Sequence, residues 1–360
     1  MKFIVIFLLT ACVFLFQCQK APKTTSDIPV IHIDHDEKKA VQLEDFASDY
    51  VEIPLELTDH SMIKYVQDIT VSDEHLYIVD IKNGVLQFDL EGNFIKNIGE
   101  IGDKGPGTYS TPTSIAFNEE EQAILMADMF RFSLYKFDTA GKLMAAVKKL
   151  PGNPFLIKNA IDGYQVVAEK FVNGDDGEYF ISADIVSTSK EFDIQKKIKV
   201  DHLKLKGSSG AVRRQPSVLF YSAYDSTNYF YNPILLPPRA YRGKFIRDTL
   251  YQVENDRVLP KVRFEFSREV WDGKEKVYHL RNIMAFDHFF LVKYEYRNTP
   301  YLFIYDRDMK EGFVVKEGFS VPGYEVKYMP HSKSNGQLYL IVQHPPKPGE
   351  IEPNPSIVLF

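Results

Sequence analysis

Two stretches of this chain repeat each other. His75-Leu-Tyr-Ile-Val-Asp80 leads to Gly84-Val-Leu-Gln-Phe-Asp89-Leu-Glu-Gly92, and about 50 residues later Ala123-Ile-Leu-Met-Ala-Asp128 leads to Ser133-Leu-Tyr-Lys-Phe-Asp138-Thr-Ala-Gly141. Each copy contains two short apolar strands and ends in an Asp-x-x-Gly sequence, which is typical of a tight hairpin turn. A strand-rich repeat with a period of about 50 residues is typical of the blades of a β-propeller.

The neighbouring segments extend each copy to four strands. Residues 67–71 and 113–117 precede the quoted stretches, and residues 94–98 and 143–147 follow them. No run of the sequence shows helical periodicity over three turns. A single four-stranded sheet cannot bury both of its faces, whereas similar sheets stacked around an axis can.

Four more blades follow in the rest of the chain. They are predicted at residues 155–203, 218–266, 279–315 and 325–360, and a fainter copy of the repeat, ending at Gly312, lies in the third of these. The last blade contains only three strands. Val51–Leu57 alternates apolar and polar residues, as a half-buried strand does. We therefore predict an all-β, six-bladed propeller with four-stranded antiparallel blades, in which this N-terminal strand completes the last blade and closes the ring.

Composition and charge limit the classes of protein and partner that fit this chain. Of the 360 residues, 44% are hydrophobic and 26% are charged, as in soluble globular proteins. The net charge of −6 offers no basic excess to neutralise phosphates, which argues against nucleic acid as a partner. The 27 Phe and 21 Tyr residues favour strands.

The N-terminus is predicted to be a lipoprotein signal peptide. Lys2 precedes an apolar run over residues 3–16, which has the length of a signal-peptide core and is short for a membrane span. The two cysteines of the chain, Cys12 and Cys18, both lie here. Cys18 is favoured as the lipidated residue because it ends the apolar run, and Cys12 is the alternative because a small residue, Ala11, precedes it. The predicted organisation is residues 1–20 as signal and anchor region, 21–48 as a linker or N-terminal extension, and 49–360 as one propeller domain.

The chain also resembles a known family. The resemblance lies in four segments: Tyr50-Val-Glu-Ile-Pro-Leu-Glu56, Gly102-Asp-Lys-Gly-Pro-Gly-Thr-Tyr109 with Pro112, Asp248-Thr-Leu-Tyr251 with Leu259-Pro260, and Asn354-Pro-Ser-Ile-Val-Leu359. These resemble the six-bladed β-propeller lipoproteins of Gram-negative bacteria, which are relatives of NHL-repeat and TolB-like propellers. The resemblance implies the fold, export and a membrane-anchored body, and it implies no reaction. Residues 19–23 lack the acidic cluster that relatives use for surface export, so the body is expected to face the periplasm.

Three local motifs suggest chemistry but have simpler interpretations. Gly102–Gly107 lacks the Gly-Lys-Ser/Thr ending of a phosphate loop and is predicted to be a turn between blades. His32 and His35 lie in an alternating stretch and lack a metal-binding motif, so no metal site is predicted. Residues 173–178 are rich in Asp and Gly but lack the spacing of a calcium loop, and are predicted to be a hairpin tip.

One face of the propeller is the predicted ligand-binding surface. The loops between the second and third strands of each blade, and the connections between blades, share this face, which we call the loop face. Asp80 and Asp128, at the ends of equivalent strands, are expected to accept backbone N–H bonds in the following turn, or else to line a pocket at the channel mouth. Loops on a rigid scaffold are the usual place for function. The candidate ligand-binding residues are Lys82, Tyr109, Asp128, Phe130, Arg131, Arg239, Tyr241, Arg242 and Arg297.

Two classes of function remain open. The first is a monomeric binding or scaffold protein of the envelope that recognises a glycan, peptide or protein, has no cofactor and contacts the membrane through its lipid only. The second is a propeller enzyme, a lactonase-like hydrolase or a lyase, with calcium at the axis. The sequence contains no readable catalytic set. Calcium needs several oxygen ligands, and the inner-strand candidates are Asp68, Ser114, Asn159 and Asn282, with a single acid among them. Binding is therefore the favoured class.

Overall fold

The structure is a computed structural model that contains almost only strands. It describes residues 28–147, 149–173, 178–206, 213–214, 218–232, 234–235, 248–255, 257–272, 275–333, 336–346, 348–349 and 351–360. The helix in this part of the chain is the single turn Leu43–Phe46. No helix of the described residues has the length and apolar character needed to cross a membrane.

Six antiparallel sheets form the six predicted blades. Blades one to five begin with an inner strand and proceed outward in chain order, whereas the outer strand of blade six comes from the segment that precedes blade one. The strands are Val66–Val71, His75–Asp80, Gly84–Asp89 and Phe94–Ile98 in blade one; Pro112–Asn118, Ala123–Asp128, Ser133–Asp138 and Leu143–Val147 in blade two; and Asn153–Ala160, Gly163–Asn173, Glu178–Thr188 and Ile194–Lys206 in blade three.

The second half of the ring repeats this order. The strands are Val218–Ser222, Thr227–Tyr231, Thr249–Glu254 and Arg257–Phe266 in blade four; Tyr278–Ala285, Phe289–Tyr296, Thr299–Asp306 and Glu311–Lys316 in blade five; and His331–Ser332, Leu338–Val342, Ser356–Leu359 and Val51–Pro54 in blade six. Short pairs lie in the connections: Glu100–Ile101 with Thr108–Tyr109, Arg213–Arg214 with Ile234–Leu235, Trp271–Asp272 with Glu275–Lys276, and Phe319–Ser320 with Lys327–Tyr328.

The Asp-x-x-Gly sequences form the predicted turns. The amide of Gly92 donates to the carbonyl of Asp89, and the carboxylate of Asp89 accepts from the amide of Asn93 at 2.7 Å. Asp138 and Gly141 repeat this arrangement in blade two. Gly92 has a φ of +91°, a left-handed conformation that glycine adopts at low cost.

The ring closes as predicted, through what we call the closure strand, Val51–Pro54. It pairs antiparallel with Ser356–Leu359 and is the outermost strand of blade six. Ile53 is buried, and so is Leu55 just beyond the strand. The alternation over Val51–Leu57 places Val51 on the same face as Ile53, yet Val51 is 59% exposed, because it lies at the end of the edge strand where the core does not cover it.

The closure strand also connects to blade one. Beyond the strand, the amide of Glu56 donates to the carbonyl of Gly92 at 2.9 Å, and its carboxylate accepts from the amide of Phe94 at 2.8 Å. The turn at Gly92, which ends the first repeat, is therefore hydrogen-bonded to the segment that follows the closure strand.

The segment expected to be a linker is part of the propeller. We call residues 28–46 the N-terminal strap. Its strand Val30–Ile33 pairs parallel with the outer strand of blade four, and Lys38–Lys39 pairs parallel with the outer strand of blade five, so these two blades have five strands. Ile33 and Leu43 are fully buried.

His35 holds the strap against blade five. Its side chain is buried, and its Nδ1 lies 2.9 Å from the hydroxyl of Tyr294. The rings of Tyr296 and Tyr301 lie 4.5 Å from the imidazole. Burial lowers the pKa of His35, so the neutral imidazole is the form that packs here. His32 is exposed on the same segment, so the two histidines do not converge.

Replacement of Gly92 by alanine should destabilise the ring closure. A Cβ at this position would lie 1.9 Å from the carbonyl oxygen of Pro54 in the closure strand. Gly323→Ala is the matched control, since Gly323 has a similar φ of +83° and open space around it. We expect the control to lose about 1–2 kcal/mol from backbone strain alone, and Gly92→Ala to lose roughly 1–3 kcal/mol more from overpacking. Urea unfolding of both variants measures the difference, and equal losses would contradict the proposed contact.

Candidate functional site

Exposed apolar side chains concentrate on the loop face. Over the described residues, the second-to-third-strand loops of blades six, one and two and the connections that join these three blades carry seven large ones. Val326 lies on the connection from blade five, and the turns at the opposite ends of the strands carry Leu90, Ile161, Tyr224 and Met309. Exposed apolar groups that gather in one region mark interaction sites, whereas scattered ones are ordinary. We call the seven the apolar arc: Met62, Tyr65, Ile81, Ile101, Phe130, Phe132 and Ile351.

The backbone under the first part of the arc is held by Asp80. Its carboxylate is fully buried and accepts from the amides of Lys82 and Asn83 in the following turn, as expected, each at 2.8 Å. Its second oxygen accepts from the amides of Lys64 and Tyr65, also at 2.8 Å. One carboxylate thus fixes the loop of blade one to the connection that arrives from blade six.

Asp128 does the same in blade two. It is fully buried and accepts from the amides of Ser110, Thr111 and Arg131. The guanidinium of Arg131 donates to the carbonyls of Thr108 and Gly102, and so fixes the connection from blade one. The positions of Ile101, Phe130 and Phe132 follow from these bonds. We therefore assign Asp128 and Arg131 a positioning role within the loop face.

Asn354 completes the fixed backbone at blade six. Its side-chain oxygen accepts from the amide of Ile63 at 2.8 Å, and its side-chain nitrogen donates to the carbonyls of Glu56 and Ser61 at 2.8 Å each. The loop that carries Ile351 is thereby joined to the connection that carries Met62. Three buried polar side chains, on three blades, thus hold the backbone of the arc.

The other candidate ligand-binding residues divide into three groups. Tyr109 is buried, donates to the carbonyl of Ile98 and accepts from the amide of Val85, and burial raises its pKa, so it belongs to the core. Lys82, Phe130 and Arg297 are exposed, and Arg297 pairs with Asp272 at 3.0 Å. Arg239, Tyr241 and Arg242 lie outside the described residues.

Sequence reasoning missed most of the arc. It sought Arg and aromatic side chains on predicted loops, whereas Met62, Ile81, Ile101 and Ile351 are aliphatic. An isoleucine or methionine at a predicted loop tip, outside any predicted strand, is the feature of the sequence that could have indicated these residues. Whether such a side chain is buried by another loop depends on contacts that the sequence does not encode locally.

A second candidate site surrounds the channel, where polar residues connect the inner strands. Asp68 accepts from the hydroxyl of Ser114 at 2.8 Å and from the amide of Ile115 at 3.0 Å. The hydroxyl of Ser114 in turn accepts from the amide of Ile157 at 3.2 Å, and so reaches blade three. Burial raises the pKa of Asp68 to about 6. The hydrogen bonds to Asp68 and the nearby charge of Lys333 favour the carboxylate and so oppose this rise.

Two lysines are buried in the blades next to these hydrogen-bonded inner strands. Lys293 lies in blade five and Lys333 in blade six, 8% and 5% exposed respectively. Burial lowers the pKa of Lys293 to about 7 and that of Lys333 to about 8. Lys293 adds to burial in lowering the pKa of His331, whose ring stacks on Tyr339 at 5.2 Å. We call these residues the axial cluster: Asp68, Ser114, Asn282, Lys293, His331, Lys333 and Tyr339.

The axial cluster does not resemble a calcium site. Of the four inner-strand candidates, Asp68 and Ser114 bond to each other, Asn159 donates to the carbonyl of Phe117, and Asn282 lies opposite Lys293. Ca²⁺ requires a cage of oxygen ligands with carboxylates among them. Within the described part of the chain, no group of three His, Cys, Asp or Glu side chains is placed to hold a metal ion.

Comparison with families of known sequence identifies the chain. The model of the family described as "Domain of unknown function (DUF4934)" matches residues 28–345. The chain belongs to this family. The match begins with the N-terminal strap and includes both the apolar arc, apart from Ile351, and the axial cluster. No curated protein matches the sequence.

Two solved structures that are similar to this chain come from Bacteroides species. A Bacteroides fragilis protein described as exported has a TM-score of 0.61 at 15% identity, and the likeness covers 92% of this chain and 98% of that one. A member of the DUF4221 family from Bacteroides vulgatus has a TM-score of 0.47 at 12% identity, over 86% of this chain and 95% of that one. At such identities the first likeness shows the fold alone.

The buried lysines predict an unusual pH dependence of stability. Their pKa values, about 7 and 8, lie below the ordinary lysine value of 10.5, so above pH 7 the unfolded chain binds more protons than the folded one. Stability should then rise from pH 7 to pH 9, by up to about 1.4 kcal/mol per pH unit for each lysine. Asp68, with its pKa raised to about 6, titrates below this window.

Lys293→Met should therefore reduce the slope and raise the free energy of unfolding at pH 7. Lys104→Met, which removes an exposed lysine, should leave the slope as in the wild type. Guanidinium chloride unfolding between pH 7 and 9 measures both. A slope that Lys293→Met leaves unchanged would show that this side chain is not buried as a neutral amine.

Proposed function

We propose that this protein is an exported, membrane-tethered binding protein that captures a protein partner of the cell envelope through the apolar arc. The observation that carries the proposal is the set of exposed apolar side chains on a backbone held by three buried polar residues, Asp80, Asp128 and Asn354. A backbone fixed before binding loses little entropy when the partner docks, so more of the apolar burial contributes to affinity.

The chemistry of the arc favours a protein over a glycan. Its aliphatic members, such as Ile81 and Ile351, offer no hydrogen bond, and Tyr65 supplies the hydroxyl of the set. A sugar needs polar partners for its hydroxyl groups, because burying them unpaired is costly. Aromatic anchors surrounded by aliphatic contacts are instead what protein interfaces use at their centres.

Export and tethering rest on the N-terminal sequence and on similarity. The signal-like run with Cys18 at its end precedes the described residues, and the similar Bacteroides fragilis protein is described as exported. A lipid on Cys18 would attach to the membrane a chain whose N-terminal strap is paired with blades four and five. The anchor would therefore connect to the side of the propeller by a short segment.

Site-specific photo-crosslinking tests the proposed surface. A photoreactive phenylalanine analogue placed at Phe130 or Ile351 should give a discrete adduct with a second protein in cells of the native host. The same analogue at Ile161 or Met309, which are 96% and 68% exposed on the opposite face, should not. Tyr65→Ser should reduce the Phe130 adduct by about tenfold or more, as loss of an aromatic hot spot does.

Adducts at the opposite face, or none at the arc, would overturn the proposed surface. Direct binding of a sugar on a glycan array, with loss on Phe130→Ser, would replace the protein partner by a glycan.

Metabolic labelling tests the anchor. Radiolabelled palmitate should enter the wild-type protein and Cys12→Ala, and should be lost from Cys18→Ala. The reverse pattern would assign the lipid to Cys12, and an unlabelled wild type would exclude the lipoprotein interpretation. Protease added to intact cells should spare the body if it faces the periplasm, whereas rapid digestion would show that it faces outward.

A further inference from the structure

The outer edges of three blades are short or covered. The outermost strand of a sheet exposes unpaired N–H and C=O groups, and proteins protect such edges with charges, proline or a covering segment. In blades four and five the N-terminal strap covers the edge. In blade six the outer strand has four residues, among them Glu52 and Pro54. None of these three edges offers a long, uncharged strand for further pairing.

Blades one and three protect their edges with charged side chains. In blade one the carboxylate of Glu56 accepts from the amide of Phe94, the first residue of the outer strand, and Lys96 lies at the centre of that strand. The outer strand of blade three, Ile194–Lys206, carries exposed lysines: Lys196, Lys197 and Lys199. A lysine on an edge strand opposes the addition of another strand, because its charge would lose solvent.

The edge of blade two lacks charge, proline and cover. Its outer strand, Leu143–Val147, contains no charged residue and no proline. Met144 is 54% exposed, and Ala146 is also exposed. Among the described residues, the backbone of this strand is paired with Ser133–Asp138, and no side chain or other segment is hydrogen-bonded to it. We call Leu143–Val147 the open edge.

The strap shows how such an edge is occupied in this fold. Val30–Ile33 lies parallel to the outer strand of blade four, with Val30 opposite Arg263 and Ile33 opposite Phe266. Lys38–Lys39 pairs in the same direction with blade five. The outer edge of a blade thus accepts a fifth strand from a distant segment. Main-chain hydrogen bonds of this kind are one way in which extended peptides bind to exposed sheet edges.

The open edge is continuous with the apolar arc. Val147, its last residue, pairs with Leu134 in the third strand of the blade. Just beyond it, the amide of Leu150 donates to the carbonyl of Phe132 at 2.8 Å. Phe132 and Phe130 belong to the arc, so a partner that covers these two rings comes within reach of the edge.

Lysines at both ends of the open edge select its partner. Lys142 and Lys149 are exposed, and they lie immediately before the strand and two residues after it. If a second copy paired antiparallel with the strand, Lys142 of one copy would approach the Lys149 end of the other, and like charges across a strand pair are destabilising. Acidic residues at the ends of the added strand would be attracted instead. The charges therefore favour a strand with acidic ends over a second copy of this chain.

We propose that the open edge is a docking site for an extended segment of a partner protein, which joins blade two as a fifth strand. The centre of this segment is uncharged, as Met144 and Ala146 require, and acidic residues at its ends pair with Lys142 and Lys149. The inference rests on the proposed function in one respect, since the protein that covers the apolar arc supplies the segment. It adds main-chain hydrogen bonds, which the side chains of the arc do not provide.

Fluorescence anisotropy of labelled peptides with the purified full-length protein tests the open edge. The first peptide has alternating valine and threonine between pairs of aspartates, the second has lysines in place of the aspartates, and the third is the acidic peptide with two adjacent prolines at its centre. The acidic peptide should bind saturably. The basic peptide should bind about tenfold more weakly, since two attractive end pairs become repulsive. The proline peptide should not bind, because it lacks a donor on both of its edges.

A charge reversal separates the lysines from a general electrostatic effect. The double variant Lys142→Glu with Lys149→Glu should prefer the basic peptide to the acidic one by about tenfold. The control is Lys310→Glu with Lys316→Glu, which makes the same change of charge at the two ends of the outer strand of blade five, where the strap already covers the edge. The control should keep the preference of the wild type.

A substitution within the strand has an equally close control. Met144→Glu places a charge on the open edge and should weaken binding of the acidic peptide by about tenfold or more. Ile95→Glu makes the same change in blade one, at an exposed residue that occupies the same register shift between the third and fourth strands. It should leave binding unchanged. The melting temperature of each variant confirms that it is folded.

The proposal is overturned if the acidic peptide does not bind, if the proline peptide binds as tightly, if the charge reversal leaves the preference unchanged, or if Ile95→Glu and Met144→Glu have the same effect. A wild-type dimer that Met144→Glu dissociates would also overturn it, because a second copy would then occupy the edge. A crosslinked adduct at Phe130 without peptide binding would retain the apolar arc and reject the open edge, whereas peptide binding without that adduct would retain the edge as a strand-docking site and reject the arc.

Discussion

The pairing of the closure strand with Ser356–Leu359 is the constraint on which the rest of the structure depends. Six sheets that each contact only their neighbours form an open array unless the last is joined to the first. Here four residues from the beginning of the propeller supply the outer strand of the last blade. The following residues hydrogen-bond to the first blade through Glu56, so the two ends of the ring are joined by strand pairing and side-chain contacts at the same place.

Closure also determines where the loop face is rigid. The connection that carries Met62 and Tyr65 runs directly from the closure strand into blade one, and Asp80 and Asn354 hold it from both sides. The apolar arc therefore lies over the seam of the ring. A surface built there has a fixed shape because the same hydrogen bonds that hold the seam also hold its loops.

The loop face and the channel offer opposite chemistry. The apolar arc presents aliphatic and aromatic groups to solvent, where a protein partner can cover them. The axial cluster keeps two lysines away from solvent, and burial lowers the pKa of each.

Local patterns in the sequence determined the architecture. The repeat around Asp80 and Asp128 predicted the blades, the Asp-x-x-Gly sequences predicted the turns, and the alternation over Val51–Leu57 predicted the ring closure. These predictions were confirmed because strand periodicity and turn chemistry depend on a few neighbouring residues. The role of Asp80 and Asp128 as acceptors for the following turn was predicted on the same basis, and their bonds to the preceding connection were not.

The tertiary structure alone decided which polar and apolar side chains are buried. Tyrosine is buried in some proteins and exposed in others, and lysine is usually exposed, so only the packing of neighbouring blades places Tyr109 and Lys293 inside. The strap was expected to be a linker because its pairing partners lie more than 200 residues away along the chain, in blades four and five. Isoleucine and methionine at loop tips remain exposed because no other loop covers them. Burial of this kind is set by distant contacts, and a single sequence does not encode those contacts in any local pattern.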